Sequence, residues 1–540
     1  MRHCGRGRSE LTPNEMLEHM PGHPATLLPP RQFEVVGRGV SNSCHPSYGV
    51  GRYNVFVGFD LPVGFFPDGR GVILGAPYDS LTVEGDIDAI AKLIWRDVVT
   101  RGAHYDVRGV WQATHRLAGR WLVILPDHDG EISIFGDAAM LMPVFHCRRD
   151  GFFASSSLSY LTGVVEPEIE PWAARDFAGP RYLRPDMVEQ TKGRTDSTWW
   201  RLDVTPYSGV RSLIPNHVVH SSGRIERLWP AGEHDYPNRL SVENASEAVL
   251  ERLINVLKAV PRSGTVKMPL TAGLDSRTLV AAALAADIPF DCYTYAPSDT
   301  ASTGQDFHAD MAIAKRICED FNIKHDELLM PVTVNKNDVG DIFRNVREQI
   351  TSPTLPREIV VLKNLIADQA GIFLNGNMAE IGRVFYGPFS WKNADERLLA
   401  SITRATNETP ILTAYGRWLS DLKPYAKKFS MTDLLYWEDR MGNWQSSFQQ
   451  QVNPIAPIVS PFNCHAILTT MLALPIGDRI GGSLQKTLIK KAKPRLMKYP
   501  FNPEGGSFSF RIKHGLKTRL RSAARRNAFL NALWFRLRPI

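Results

Sequence analysis

The chain lacks any long apolar run, has few cysteines, and carries no acidic side chain over residues 507–540. Each absence removes a class of function. A membrane-spanning helix needs roughly 18 or more apolar residues in a row. The apolar stretch Leu279–Ala286 is short and is ended by Asp287 and Pro289, so no transmembrane segment is expected. Met1-Arg2-His3-Cys4 runs into polar sequence bearing Gly and Pro, without the apolar region of a secretory leader. A cytoplasmic location is expected. The six cysteines (Cys4, Cys44, Cys147, Cys292, Cys318 and Cys464) are scattered, with no CxxC pair. That spacing points to isolated reduced thiols and away from disulfides or a cysteine metal site.

The missing acids matter because the same tail holds nine Lys or Arg, from Arg511 to Arg538. The whole chain has a net charge of +7, so everything outside the tail sums to −2. The basicity is local. With Leu520, Ala524, Phe529, Leu530, Leu533, Trp534 and Leu537, the tail has the makings of an amphipathic helix. Such a helix suits an anionic surface or an acidic partner, and equally suits packing on its own protein.

At 540 residues the chain exceeds one ordinary core, and its texture changes near residue 240. Residues 1–48 are rich in Gly, Pro, His and Arg and are expected to be irregular. From 49 to 232 short β-type segments dominate, with a hairpin of Trp121–Leu125 and Glu131–Phe135 around the turn Asp127-His128-Asp129-Gly130. From 233 to 506 helices alternate with short strands: a helix over Val242–Val260, a strand over Val266–Leu270 and a helix over Arg277–Ala286. A strand over Phe290–Ala296, a helix over Gln305–Asn322 and a strand over Ile372–Asn375 follow. This alternation predicts a parallel sheet covered on both faces. Residues 507–540 form the basic tail.

The stretch that carries chemistry is Leu270-Thr271-Ala272-Gly273-Leu274-Asp275-Ser276. A strand enters a loop of small residues and leaves directly into a helix. Small side chains admit an anion to the backbone, and the helix start supplies free N–H groups and a favourable dipole. Ser276 adds a hydroxyl. Asp275 would repel a phosphate unless a cation stood between them, which suggests Mg²⁺. The loop has no GxxxxGK[ST] pattern and so is not a Walker A.

This run resembles the pyrophosphate loop, Ser-Gly-Gly-x-Asp-Ser, of asparagine synthetases and related ATP pyrophosphatases, with Thr271 and Ala272 replacing the first Ser and Gly. Further pieces follow in family order. Phe290–Tyr295 resembles the strand whose end contacts adenine, and Asp306, Ala309, Ala314 and His325 match a D…A…A…H pattern. Phe373–Glu380 is similar to L-S-G-E-G-A-D, Glu438–Met441 to D-R-M-S, and Ser460–Asn463 to V-P-F-L-D. The resemblance implies that Glu380 joins Asp275 on Mg²⁺, that Asn375 and Gly376 lie against ATP, that Tyr295 borders adenine, and that Lys486 offsets charge on the leaving pyrophosphate. Asn377 stands where the family has Glu, and an amide cannot act as a base. Tyr386, Glu358 and His325 are alternative proton carriers.

In the first half, Leu117–Ile124, Ile132–Ala138 with Pro143–Phe145, Phe152–Ser156 and Gly209–His217 resemble segments of glutamine amidotransferase domains. Those enzymes use cysteine as the first mature residue, with its own amine as base. Here Arg2 follows Met1, and Cys4 and Cys44 are poorly placed for that role, so a degenerate glutaminase is expected. The implied fold is an N-terminal four-layered Ntn-hydrolase-like α/β/β/α sandwich followed by a Rossmann-like parallel-sheet domain of the adenine nucleotide α-hydrolase, or PP-loop, type. The implied activity is ATP-dependent adenylation of a small-molecule or peptide carboxylate and its transfer to ammonia or an amine, releasing AMP and pyrophosphate. A homodimer is entertained, and nucleic acid is not the expected partner. β-Lactam synthetases and lasso peptide cyclases are relatives of this kind. Rival expectations are a silent nucleotide-binding scaffold and an RNA-modifying ATP pyrophosphatase.

Overall fold

A computed structural model describes residues 31–38, 45–100, 106–158, 199–297, 307–330 and 371–501, apart from short breaks inside those ranges and isolated positions between 161 and 170. The basic tail, Cys4, Cys44, Asp306 and Glu358 lie outside the described residues. Among the described residues no helix is long and apolar enough to cross a membrane.

The first half is two six-stranded antiparallel sheets packed face to face. One has the order β10-β8-β9-β1-β3-β2 and the other β12-β11-β7-β6-β5-β4. The strands are β1 (Phe33–Gly37), β2 (Ser47–Val50), β3 (Tyr53–Val57), β4 (Val63–Phe65), β5 (Val72–Asp79) and β6 (Leu117–Pro126). They continue as β7 (Ile132–Gly136), β8 (Phe145–Arg148), β9 (Phe152–Ser155), β10 (Arg211–Ser212), β11 (His217–His220) and β12 (Ile225–Arg227). The period of two sorts the side chains. Leu122 and Ile124 of β6 join Phe33, Val35 and Val55 between the sheets. Trp121, Val123 and Leu125 face the opposite way, with Ile90 and Ile94 of helix α1 (Ile87–Thr100) and Val110 of helix α2 (Val107–Ala113). The hairpin read from the sequence is the β6–β7 pair, registered Leu125 to Ser133.

One boundary differs from expectation. Strand β1 and the start of β2 fall inside the segment expected to be irregular, residues 1–48, and β1 pairs with both β3 and β9. Five residues that include Glu34 give a weak local pattern. The partners that make them a strand stand far along the chain.

The second half is a five-stranded parallel sheet in the order β15-β14-β13-β16-β17. Its strands are β13 (Thr265–Pro269), β14 (Asp291–Pro297), β15 (His325–Met330), β16 (Gly371–Leu374) and β17 (Ile458–Val459). Helices α3 (Val242–Ala259), α4 (Leu274–Ala286) and α5 (Phe307–Phe321) alternate with the strands as the sequence predicts. Ser241 caps α3 by accepting the Asn244 N–H. The strand order reverses between β13 and β16, and the crevice beyond the carboxyl ends at such a point is where open α/β sheets take ligands. The fold is mixed, an antiparallel sandwich followed by a Rossmann-like parallel sheet.

One apolar core runs through both halves, from Ile73 and Trp121 to Trp437 and Leu488. Buried polar contacts fix the junction. Glu438, 0% exposed, accepts Arg227 Nη1 at 2.7 Å and Asn216 Nδ2 at 2.9 Å on Oε1, and Trp418 Nε1 at 2.7 Å and Arg227 Nη2 at 3.1 Å on Oε2. Asp439 accepts the Leu202 N–H at 2.7 Å. Asn463 donates to Asp137 Oδ1 at 2.7 Å and to the Gly119 carbonyl. The segments read as D-R-M-S and V-P-F-L-D therefore hold the two halves together.

Removing Glu438 leaves the buried guanidinium of Arg227 with only the half-exposed Asp421 as counter-charge and strips the acceptor of Asn216 and Trp418, so Glu438→Ala is expected to cost about 3 kcal/mol in urea unfolding. A second prediction concerns Glu34, which is 4% exposed and whose pKa burial raises from 4.5 to about 7. The folded state then keeps a proton that the unfolded chain releases, so this contribution is fully present below pH 4.5 and is lost as pH rises through about 7. Glu34→Gln should gain up to about 3 kcal/mol over the wild type at about pH 8 and little at about pH 4, read by urea unfolding at both.

Candidate functional site

The loop after β13 and the segment after β16 meet at the reversal of strand order. Leu270 is held by its N–H to the Tyr293 carbonyl at 2.9 Å. Its own carbonyl accepts the Thr294 hydroxyl at 2.6 Å, and Thr294 Oγ1 lies 2.8 Å from His325 Nε2. The loop amides point inward. Thr271 N–H donates to Ser276 Oγ at 3.2 Å, Gly273 N–H to Thr271 Oγ1 at 2.9 Å, and Ala272 N–H to Asp310 Oδ1 at 3.0 Å. A carboxylate oxygen thus already sits on one loop amide, as expected of donors suited to an anion.

Arg277, on the first turn of α4, sets the loop from behind. Its guanidinium is fully buried and donates to the carbonyls of Ala272 (3.1 Å), Tyr499 (2.8 Å) and Pro500 (2.9 Å), while stacking on Phe501. Burial pulls its pKa down to about 10. The segment that ends the described chain is therefore tied to the loop.

From β16, Asn375 Oδ1 accepts Ser460 Oγ at 2.6 Å and the Asn377 N–H at 3.3 Å. Asn377 Nδ2 donates to the buried Gln445. Gly376 packs directly on the loop backbone, and a Cβ there would lie 3.0 Å from the Asp275 carbonyl oxygen and 3.3 Å from Ser276 N. A 3₁₀ turn over Ala379–Arg383 follows, entered by Met378 at φ 80° and left by Val384 at φ 55°.

That turn brings Glu380 within the electrostatic reach of Asp275 and adds a residue that sequence reasoning missed. Arg383 grips Asp275 with Nη2 to Oδ2 at 2.7 Å and Nε to Oδ1 and Oδ2 at 3.2 and 3.1 Å. Burial raises the Glu380 carboxyl to about 7, the charge of Asp275 adds to this, and Arg383 and the Tyr436 hydrogen bond oppose it. Burial works against the charge of Arg383, but Asp275 and Glu380 more than offset it and its pKa is raised. Tyr436 and Arg440 come from a stretch of π-helix over Tyr436–Gln445, and such stretches favour functional sites. Arg440 lies over the rings of Trp444, Trp199 and Phe385, and its charge bears on Glu380.

The expected magnesium grip fits these residues poorly. Both Asp275 oxygens are taken by Arg383, and the charge of Arg440 bears on Glu380, whose half-buried carboxylate keeps Oε2 without a hydrogen-bond partner. Among the described residues no group of three or more His, Cys, Asp and Glu is assembled for a metal. Lys486 is not brought to the carboxylates. It is exposed on α6 (Ser483–Ala492), because Leu484 and Gln485 take the buried side against Gly382 and Ala379. Of the alternative proton carriers, burial pushes Tyr386 up to about 12 and draws His325 down. Tyr295 is half-buried at the rim of a cluster with Tyr293, Phe373 and Ile458.

No protein-family model matches the chain, and no curated protein matches it. Among solved structures it is similar to NMN synthetase from Francisella tularensis, at 14% identity over 36% of this chain and 77% of that one. The TM-score is 0.18, too slight a likeness to bear on fold or activity.

The contact of Gly376 with the loop makes a stability prediction. Gly376→Ala forces backbone against backbone and is expected to cost about 1–3 kcal/mol in urea unfolding. Gly477→Ala, with nothing within 4 Å of its Cβ, should be close to neutral by the same measurement.

Proposed function

We propose that the chain is an ATP-dependent amide ligase of the asparagine synthetase type, forming AMP and pyrophosphate. The observation that carries this is the junction itself. Loop Leu270–Ser276 and segment Asn375–Glu380 leave adjacent parallel strands and touch at the point where strand order reverses. Both segments were read as the phosphate-facing parts of that family.

In this reaction an oxygen of the substrate carboxylate attacks the α-phosphorus of ATP. The bond from that phosphorus to the α–β bridging oxygen breaks and pyrophosphate leaves into the loop. Ser276, the loop amides and the start of α4 stabilise the charge that develops there. The nitrogen of ammonia or an amine then attacks the acyl carbon, AMP departs with the bonding electrons, and the nitrogen gives up its proton. Asn377 cannot take that proton, since its side-chain amide is bound to Gln445 and is not basic. Lys486 is exposed and pairs with neither Asp275 nor Glu380.

The nitrogen comes from outside the chain in this proposal. The first described strand, β1, holds no cysteine. The free cysteines among the described residues, Cys147, Cys292, Cys318 and Cys464, are buried. The sandwich then serves as a scaffold for the π-helix, through Glu438, Asp439 and Asn463. One observation favours a second reading, a nucleotide-binding scaffold without turnover. The loop amides of Thr271, Ala272 and Gly273 are all satisfied internally.

The two readings separate by isotope exchange. With a panel of carboxylic acids, radiolabelled pyrophosphate is expected to enter ATP, and Asp275→Asn is expected to abolish the exchange while leaving the circular dichroism spectrum intact. ATP binding with no exchange for any acid would count against the ligase and for the scaffold.

A further inference from the structure

We propose that Arg383, in place of a divalent cation, is the counter-charge of Asp275, and that its guanidinium meets the phosphates of a nucleotide bound at the strand-order reversal. This rests on the ligase reading for the presence of a nucleotide, and goes beyond it in saying what balances the charge.

The contact is a fork on a carboxylate, with Nη2 at 2.7 Å and Nε near 3.1 Å, a geometry that adds direction to charge. It does not close the site. The Arg383 and Asp275 side chains are 29% and 18% exposed, so a ligand can reach both. Nη1 makes no hydrogen bond among the described residues and is left to bond an anionic oxygen.

The bracket behind Arg383 is stiff. Gln485 Nε2 donates to the Ala379 carbonyl at 2.6 Å, and Arg479 Nη1 donates to the Ile381 carbonyl at 3.0 Å. Arg479 is itself locked to the buried Asp433 at 2.7 Å. The ends of the Gln485 and Leu484 side chains pack on Gly382, where a Cβ would lie 2.9 Å from each and make them shift. A turn held at Ala379 and Ile381 aims Arg383.

The surroundings favour an anion over a metal. Arg440 lies 5.3 Å over the Phe385 ring and Arg383 lies 5.6 Å from the same ring, and both guanidinium charges bear on Glu380. A divalent cation would have to break the fork on Asp275 and would face repulsion from both arginines. A polyphosphate would find donors on one side from Arg383 and on the other from Ser276 and the start of α4. Arg383 acts by touching the nucleotide, which makes it a catalytic residue of this site.

The test is calorimetric titration of the full chain with ATP, in EDTA and in excess Mg²⁺, for the wild type, Arg383→Met and Arg383→Lys. The wild type is expected to bind in EDTA within about threefold of its affinity in Mg²⁺, well under the 1.4 kcal/mol of a tenfold change. Arg383→Met should lose about tenfold or more in EDTA and regain part of it with Mg²⁺, and Arg383→Lys should fall between. Mn²⁺ binding followed by electron paramagnetic resonance supplies a readout without nucleotide. The wild type should hold no stoichiometric Mn²⁺, and Arg383→Met should gain a site that a further Asp275→Asn removes. Wild-type ATP binding abolished by EDTA, or stoichiometric Mn²⁺ that Asp275→Asn alone releases, overturns this inference and leaves the ligase reading standing. Absence of ATP binding in both buffers overturns the two together.

Discussion

Everything at the candidate site depends on the approach of two backbones. Gly376 lies so close to Asp275 and Ser276 that even a Cβ would press on their backbone, 3.0 Å from the Asp275 carbonyl oxygen. That contact sets the distance between a loop able to take an anion and a turn carrying an acid and a base. It follows from topology. β13 and β16 are neighbours, their connections leave in opposite directions, and the segments beyond their carboxyl ends face one crevice. The rest of the chain stabilises that crevice. The strap over residues 494–501 holds the loop through Arg277, α6 holds the turn through Gln485, and the sandwich holds the π-helix through Glu438.

The electrostatic account follows from the same approach. Bringing Glu380 into the interior beside Asp275 disfavours two ionised carboxylates. The chain meets this with arginines whose hydrogen-bond and ring contacts are fixed by packing. Arg383 and Arg440 do not compete for one partner. The first grips Asp275, and the second is bedded on Trp199, Phe385 and Trp444. Trp199 belongs to the first half of the chain, so that half contributes to the setting of Arg440 in the second.

Much of the fold was legible. The β6–β7 hairpin announced itself by two apolar runs around Asp127–Gly130, and the helix over 242–259 by its Ser241 cap; the next helix, read as starting at Arg277, starts at Leu274, so the second half of the loop is its first turn. The loop Thr271–Ser276 was legible because small residues between a strand and a helix have few other uses. Strand β1 was not, because its evidence is long-range pairing. Arg383 was missed for a related reason. Its partner lies 108 residues earlier, and an arginine after a short turn reads locally as solvated surface. Glu438 and Asp439 were legible as a motif but not as buried braces between halves. Lys486 matched a pattern, while the packing of its helix turned it toward solvent.

The central claim is that one nucleotide spans the loop after β13 and the turn after β16. Hydrogen–deuterium exchange of the full chain, with and without ATP, tests this most directly. The account predicts that amides of residues 271–276 and of residues 376–383 gain protection together and with the same ATP dependence. Protection confined to one of the two segments, or appearing only elsewhere, would contradict it.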